Sequence, residues 1–356
     1  MTDNTMTDNT VTEEAIKARV ALGPLNRWWP VVASWMVTDT PLGLTRLGEK
    51  IVLWRDKDGS VHCVEDRCPH RGARLSMGWN LGDRIACWYH GVEVGGDGVV
   101  KDVPAVGECP LVGEKCIKSY PVFEHMGGIF AWFGDELHEE AGEFAMPEEF
   151  VSDEWGAMLC TAHWNCNWTY AVDNVMDPMH GAYLHAVSHS MAEGDLEAKM
   201  QIEKTDTGFI FGKSDQRDVN FDWIEWADTG AFWLRVSPLP YRQAAGPGGN
   251  FGIIGFVTPI DEENCRVFFW RTRKVQGWQR DAWKFMYRHK LETLHWDVLE
   301  QDRVVLSGME PDARDHEFLY QHDTGLARTR RELAKEAEKQ LNAVAAAENA
   351  HAAAAE

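Results

Sequence analysis

Two short segments of the sequence each combine one cysteine with one histidine. The first reads CPHRG and contains Cys68 and His70, and the second reads CWYHG and contains Cys87 and His90. Thiolate and imidazole groups are common protein ligands of zinc and of iron–sulfur clusters. The four side chains could hold a zinc ion in a tetrahedron, or a [2Fe–2S] cluster with both cysteines on one iron and both histidines on the other.

The distribution of the four ligands favours the cluster. In zinc fingers the two cysteines form one knuckle and the two histidines belong to a helix, whereas here each segment supplies one of each. Two similar loops would therefore face each other across a binuclear centre. Gly72 and Gly91 permit tight loops whose N–H groups can point at sulfide. Cys63 precedes the first loop, and we expect it to be a buried apolar side chain rather than a ligand. We expect His62 to be an ordinary strand residue.

A second group of metal-ligand side chains lies in the segment DNVMDPMHGAYLH, which contains His180 and His185. Two histidines and one carboxylate bind the iron of non-haem Fe(II) oxygenases. Residues five apart in a regular α-helix point about 140° away from each other, so these histidines cannot converge without a distortion. A break at Asp177–Pro178 would supply one. Alternatively, Asp177 simply caps a helix that starts at Pro178, and both histidines lie in a core.

The two patterns together, CPHRG…CWYHG and D-N-x-M-D-x2-H-x4-H, resemble the Rieske non-haem iron oxygenases. The sequence is most similar to homotrimeric terminal oxygenase α-subunits such as vanillate and dicamba O-demethylases. This resemblance implies a Rieske [2Fe–2S] cluster held by Cys68, His70, Cys87 and His90. It also implies that His180 and His185 bind a mononuclear Fe(II), that Asp177 bridges the two centres, and that Asn174 supports the site.

In the family the third iron ligand is an aspartate on a long helix near the C-terminus. Asp302 matches that position best. The surrounding residues depart from the family pattern, because Gln301 precedes the aspartate and Ser307 stands where a glutamate is common. Asp297 and Glu300 on the same predicted helix therefore remain competing candidates.

The resemblance also implies partners. In the family, the aspartate bridge joins the Rieske centre of one subunit to the iron of its neighbour, so Asp177 would contact His180 in its own chain and His90 of the adjacent one. We therefore expect a homotrimer without a β-subunit. The electron donor would be a flavin reductase that oxidises NAD(P)H, a ferredoxin, or both. Neither GVEVGGDG nor AGPGGN opens a helix in a βαβ unit, so we expect the chain itself not to bind the dinucleotide.

The expected reaction uses O2 to hydroxylate or oxidatively demethylate an aromatic compound in catabolism. Ring cis-dihydroxylation or angular dioxygenation would use the same apparatus, and a Rieske electron-transfer protein with a binding domain is a third alternative. Arg235 and Arg242 could pair with a substrate carboxylate or lie on the surface. The apolar residues predicted to line the substrate pocket are Val172, Met176, Met179, Leu184 and Trp296.

The elements that must position these residues predict an α+β protein. IVLWRDKDGSVHCVED reads as two strands around a turn, whereas the later part alternates helices with strands such as FGIIGFVTPI and CRVFFWRTRK. The resemblance implies an all-β Rieske domain followed by a helix-grip catalytic domain, which is an antiparallel sheet with helices. The predicted divisions are an N-terminal arm (1–22), the Rieske domain (23–150), the catalytic domain (151–330), and a C-terminal helix with an Ala-rich tail (331–356).

Composition excludes several other classes. The chain has 356 residues, of which 44% are hydrophobic, and a formal charge of −21. Such an acidic chain is a poor match for nucleic acid or for an anionic membrane surface. Its eight scattered cysteines do not form the dense framework of a secreted domain. We see no signal peptide and no membrane span, and expect a protein of the bacterial cytoplasm.

Overall fold

The computed structural model of the chain describes residues 11–187, 197–216, 221–240, 250–310 and 312–355. The N-terminal half begins with helix α1 (Glu13–Leu22), which is capped by the Thr12 side chain. Short 3-10 turns lie at Ser34–Met36 and Leu75–Met77. The strands of this half are β1 (Arg27–Ala33), β2 (Leu42–Arg46), β3 (Glu49–Arg55), β4 (Val61–Glu65), β5 (Trp79–Asn80), β6 (Arg84–Ala86), β7 (Glu93–Gly95), β8 (Val100–Asp102), β9 (Val122–His125) and β10 (Gly128–Phe133).

These strands form three small antiparallel sheets, ordered β2-β3-β4, β5-β6-β7-β8 and β1-β10-β9. The predicted pair of strands around the Asp-Gly turn is confirmed, since Val52 on β3 lies opposite Val64 on β4. The Cys68 loop follows β4, and the Cys87 loop follows β6. Both loops therefore leave from the ends of paired strands, which fixes their starting points.

The C-terminal half is an antiparallel sheet with helices, so the predicted α+β class is confirmed. The strands are β11 (Trp155–Trp164), β12 (Met200–Lys204), β13 (Gly208–Lys213), β14 (Trp223–Asp228), β15 (Phe232–Pro240), β16 (Asn250–Pro259) and β17 (Cys265–Lys274). The sheet runs in the order β11-β17-β16-β15-β14-β13-β12. The predicted strands FGIIGFVTPI and CRVFFWRTRK are present as β16 and β17, which pair as a hairpin. The helices are α2 (Glu148–Val151), α3 (Trp168–Val175), α4 (His180–Leu184), α5 (Gly277–Met286), α6 (Glu292–Ser307) and α7 (Thr324–Ala355).

Strand β17 shows how the large sheet is covered on both faces. Because strand side chains alternate between faces, Val267 and Phe269 point one way and Phe268 points the other. Val267 and Phe269 share a core with Val298 of α6. Phe268 packs in a second core with Phe130 of β10. Helix α6 thus packs on one face of the sheet, and strand β10 of the N-terminal half packs on the other.

The helix predicted to carry Asp302 is present, and it has one irregularity near its start. A single π-helical turn (Tyr287–Leu291) separates α5 from α6. The buried residues of α6 form one stripe at helical spacing, which is the face that it turns toward the sheet. That stripe consists of His295, Val298, Leu299, Asp302 and Leu306.

Helix α7 ties the two ends of the described chain together. The Gln340 amide donates to the carbonyl of Leu25 and accepts from the Leu25 N–H, both at 2.9 Å. Arg27 also pairs with Glu336 at 3.3 Å. The predicted Ala-rich tail is helical as far as residue 355. Among the described residues, no helix combines the length and apolarity needed to cross a membrane.

Candidate metal centres

The two Cys–His loops of the N-terminal half share one backbone geometry. In each loop the cysteine N–H donates to the carbonyl five residues on, and the N–H of the glycine four residues on donates to the cysteine carbonyl, at 2.7–2.9 Å. Gly72 has φ +76° and Gly91 has φ +74°. A side chain would be strained at either position. The pattern therefore folds both segments into the same tight turn, although the histidine lies two residues after Cys68 and three after Cys87.

The thiols and the imidazoles of these loops differ in their burial. Cys68 and Cys87 are buried in one core, whereas His70 and His90 are exposed. The two imidazole centroids lie 4.8 Å apart. Burial raises the pKa of the Cys68 thiol to about 11, with a further contribution from Cys87, while N–H groups of the loop lower it. Buried sulfur and exposed nitrogen fit a cluster with one cysteine-bound inner iron and one histidine-bound outer iron.

The second group of ligands depends on a break between α3 and α4. Helix α3 ends at Val175 and α4 begins at His180, so the break predicted at the Asp-Pro pair is confirmed. The Asp177 carboxylate accepts the Met179 N–H at 2.7 Å and stabilises the turn between the helices. The break brings the His180 and His185 rings to a centroid separation of 5.2 Å. A continuous helix could not place them so.

Asp302 of α6 completes the group. One ligand atom each from His180, His185 and Asp302 lie within 4.8 Å of one another. Asp302 Oδ1 is 3.6 Å from His180 Nε2 and 3.2 Å from His185 Nε2. Although close, His185 Nε2 and Asp302 Oδ1 are buried with no well-aligned hydrogen bond among the described residues. Two nitrogens and one carboxylate oxygen directed at one point fit a mononuclear iron.

The Nδ1 atom of each histidine donates a hydrogen bond to an acceptor on the far side of the ring from Nε2. His180 Nδ1 donates to the Asp177 backbone carbonyl at 2.7 Å, and His185 Nδ1 donates to Gln301 Oε1 at 2.7 Å. These bonds leave both Nε2 atoms free to bind a metal. Burial opposes protonation of His185, but Asp302 and Gln301 raise its pKa above the usual value. The site thus attracts positive charge, as an iron site must.

The competing carboxylates on the same helix lie elsewhere. Asp297 and Glu300 are both exposed, and Glu300 pairs with Arg303. Asp302 is 5% exposed. Among the three candidates, Asp302 is therefore the carboxylate that the fold brings to the two histidines.

The three ligands line a cavity of about 50 Å³ between the helices and the large sheet. Most of its wall is apolar, with contributions from Phe251, Ile253, Phe269 and Leu299. Its apolar lining with few polar groups is typical of a site for a small organic molecule. An aromatic ring needs more room than this, so the walls would have to move apart as a substrate enters.

Two family models match the chain. The model described as the Rieske [2Fe-2S] domain matches residues 27–121, and that of the vanillate O-demethylase oxygenase C-terminal domain matches residues 164–339. The chain belongs to the Rieske oxygenase family. This membership favours the cluster over a zinc ion at the Cys–His loops, and the family's cofactors are the [2Fe–2S] cluster and a mononuclear iron that uses O2.

Individual relatives agree with this membership. The vanillate O-demethylase oxygenase subunit of Pseudomonas sp. (strain HR199 / DSM 7063) is 37% identical over 172 residues, which are 48% of each chain. The match thus spans about half the length of that relative. The oxygenase component of dicamba O-demethylase from Stenotrophomonas maltophilia is 26% identical over 317 residues, or 80% of this chain and 87% of that protein.

Solved structures share the fold. The terminal oxygenase of carbazole 1,9a-dioxygenase from Novosphingobium sp. KA1 has a TM-score of 0.74 at 22% identity, over 91% of this chain and 95% of that one. A reduced complex between oxygenase and ferredoxin in carbazole 1,9a-dioxygenase has a TM-score of 0.71 at 22% identity, over 92% of each chain.

The residues predicted to line the substrate pocket of this Rieske oxygenase do not line that cavity. Val172, Met176 and Met179 are buried around α3 and the break, Leu184 lines an outer cleft, and Trp296 is half-buried on α6. Consecutive residues of a helix point about 100° apart. The sequence neighbours of a metal ligand therefore point away from the cavity that the ligand faces. The cavity wall comes mainly from the sheet.

Asn174 and His180 line both the cavity and the outer cleft. That cleft measures about 410 Å³ and also contains Asp177 and Tyr183. The side chain of Asp177 is 31% exposed there, and its Oδ2 lies 3.7 Å from His180 Nδ1. Asp177 therefore lies between an iron ligand and the outside of the molecule.

Arg235 and Arg242, which the sequence offered as partners of a substrate carboxylate, do not appear in the described lining of the cavity. Arg235 pairs with Glu149 at 2.8 Å and with Glu225, so its charge is already neutralised. Arg242 lies outside the described residues. Sequence reasoning missed Arg271 and His295, which both line the cavity. The signals were available: Arg271 continues the two-residue alternation of β17, and His295 is seven residues before Asp302 on α6.

Proposed function

We propose that this chain is the terminal oxygenase component of a multicomponent Rieske oxygenase in the bacterial cytoplasm. It would use O2 and electrons from an NAD(P)H-dependent reductase to hydroxylate or oxidatively demethylate an aromatic compound in catabolism. The observation that supports this most is the convergence of His180, His185 and Asp302 on a buried apolar cavity. A protein that only carried electrons would not need this second site.

The proposed ligands belong to two separate metal centres, a [2Fe–2S] cluster and a mononuclear iron. When bound, the cluster supplies single electrons and the iron supplies open positions for O2. Cys68, His70, Cys87 and His90 would hold the cluster. Asp177 and Gln301 orient the iron-binding histidines by accepting their Nδ1–H groups. The apolar cavity wall excludes bulk water and gives the aromatic ring a surface to pack on.

A homotrimer without a β-subunit accounts for two exposed apolar surfaces. Trp88 and Tyr89 are exposed on the loop that carries His90. Tyr183 is exposed beside Asp177 in the outer cleft. Exposed aromatic side chains are enriched at protein interfaces. We propose that the Cys87 loop of one subunit docks on the outer cleft of the next, where Asp177 would bridge His90 to His180.

The electron donor would be a ferredoxin, a flavin reductase, or both in series. Support comes from the carbazole dioxygenase structure in which an oxygenase of this fold is bound to a ferredoxin. The charge of −21 would favour docking to a basic surface, and a role in solubility explains it just as well.

The test combines a surrogate reductase, NADH and 18O2 with methoxylated, aminated and fused-ring aromatics. We expect substrate-dependent O2 uptake and a product that contains one 18O atom, or formaldehyde together with a phenol. Two 18O atoms in one product would instead identify ring dihydroxylation. Reduction of the cluster with no labelled product, no formaldehyde and no phenol across the panel would contradict the oxygenase function.

A further inference from the structure

One charged side chain of the cavity has neither a carboxylate nor a hydrogen-bond partner among the described residues. Arg271 lies on β17, opposite Met158 of β11 and Ile253 of β16. The strand alternation turns it to the same face as Val267 and Phe269, toward the helices. The same face looks toward His180, His185 and Asp302, called the iron triad below. Arg271 is 2% exposed, and its Nε and Nη1 are buried without a hydrogen-bond partner in the described part of the chain.

The surroundings of Arg271 are mostly apolar. Its guanidinium carbon lies 5.8 Å from the centroid of Phe269. The nearby polar pair, Cys160 and Tyr287, is engaged in a mutual hydrogen bond of 2.6 Å. Arg235, on the opposite face of the sheet, pairs with two carboxylates, whereas Arg271 forms no ion pair with any carboxylate that the structure describes.

An arginine in this position carries a large free-energy cost unless an anion joins it. A guanidinium stays protonated at all ordinary pH values, so it cannot avoid the cost by losing its proton. A buried charge without a counter-ion or hydrogen bonds is strongly destabilising. Because the cavity contains both Arg271 and the iron triad, a molecule that enters the site can supply the missing anion.

We propose that Arg271 binds an oxyanion of the substrate, so that the substrate is an aromatic acid rather than a neutral aromatic compound. The inference rests on the proposed function, because it assumes that the cavity beside the triad is the substrate site. The planar fork of a guanidinium matches the two oxygens of a carboxylate, and an aromatic sulfonate offers the same chemistry. Anchoring the anion at β17 leaves the rest of the ring beside His180 and His185.

The experiment compares binding of matched acids and esters to the iron-loaded protein. The probes are 4-methoxybenzoate, 4-methoxybenzenesulfonate and methyl 4-methoxybenzoate, titrated by calorimetry into wild type, Arg271→Met and Arg271→Lys. We expect wild type to bind an acid about 30-fold or more tightly than the ester. Arg271→Met should abolish that preference with little change for the ester, and Arg271→Lys should retain part of it. The tighter of the two acids identifies the oxyanion.

Arg266→Gln is the matched control, since Arg266 lies on the same strand but on the other face, where it donates to Thr161. It should keep the acid preference of wild type. The visible spectrum of the cluster and the iron content report whether each variant is folded. Equal binding of acid and ester by wild type, or an undiminished preference in folded Arg271→Met, would overturn the inference.

Turnover separates this inference from the proposed function. Wild type that binds acids selectively but oxygenates nothing would contradict the oxygenase function and leave the role of Arg271 intact. Wild type that oxygenates the ester as efficiently as the acids would establish an oxygenase and overturn the role of Arg271.

Discussion

Each histidine of the iron triad is oriented by an acceptor behind its ring. For His180 the acceptor is a backbone carbonyl at the α3–α4 break, and for His185 it is the side chain of Gln301. Gln301 departs from the family pattern at the position before Asp302, yet it has a clear structural role. Two adjacent residues of α6 thus have linked roles: Asp302 is a proposed iron ligand, and Gln301 orients the ligand His185.

We predict that Gln301→Leu weakens Fe(II) binding about 10- to 100-fold, because His185 loses the acceptor that fixes its ring. Competition with a chromophoric chelator measures this affinity, and the visible spectrum of the cluster should stay unchanged. Gln301→Glu keeps an acceptor and should bind iron nearly as well as wild type. Glu300→Gln is the exposed neighbouring control. Wild-type iron affinity in Gln301→Leu would refute the proposed support.

At the scale of elements, the sequence predicted correctly those features whose geometry is set by residues close together in the chain. The Cys–His loops, the β16–β17 hairpin and the break at Asp177 follow from turn residues, strand alternation and the behaviour of proline. The cavity wall could not be predicted in the same way. Phe251, Phe269 and Arg271 reach the iron ligands only through the pairing of strands distant in sequence, and no local pattern encodes that pairing.

Helix α7 is fastened to α3 by a partly buried cluster of charges. Asp173 of α3 accepts hydrogen bonds from Arg314 and Arg330, each at 2.7 Å. Arg330 also pairs with Glu317. Since α3 leads directly into the break that positions His180, this cluster links the C-terminal helix to the candidate iron site.

We expect Arg330→Met to destabilise the protein by about 3 kcal/mol, because it leaves the Asp173 carboxylate with one cation fewer. A thermal melt followed by circular dichroism should show a midpoint several degrees below that of wild type. Lys339→Met on the same helix removes an exposed charge and should change stability by less than about 0.5 kcal/mol. Equal midpoints for the two variants would show that the cluster does not stabilise the packing of α7.

At the scale of the whole molecule, the proposed bridge at Asp177, between His180 and the outer cleft, would make electron transfer a property of the assembly. A subunit without a cluster, Cys68→Ser, and a subunit without mononuclear iron, Asp302→Ala, should each be inactive alone. Every mixed ring of three contains one junction where an intact cluster meets an intact iron site.

Co-expressed with different tags and purified as mixed trimers, the two variants should therefore regain about one third of wild-type activity. Light scattering establishes the trimer, and product formation with the surrogate reductase measures the recovery. Mixed trimers with no activity would mean that electrons pass within one subunit, and Asp177 would lose its bridging role.

The central claim is that one chain holds two distinct iron centres, and metal analysis of wild type beside Asp302→Ala tests it most directly. Purified wild type should contain about three iron atoms and two acid-labile sulfides per chain, since a Rieske cluster holds two irons and the triad one. Asp302→Ala should keep the sulfide, two irons and the Rieske spectrum, while losing the third iron and all turnover. Two irons in both proteins, or zinc in place of iron and sulfide, would contradict the account.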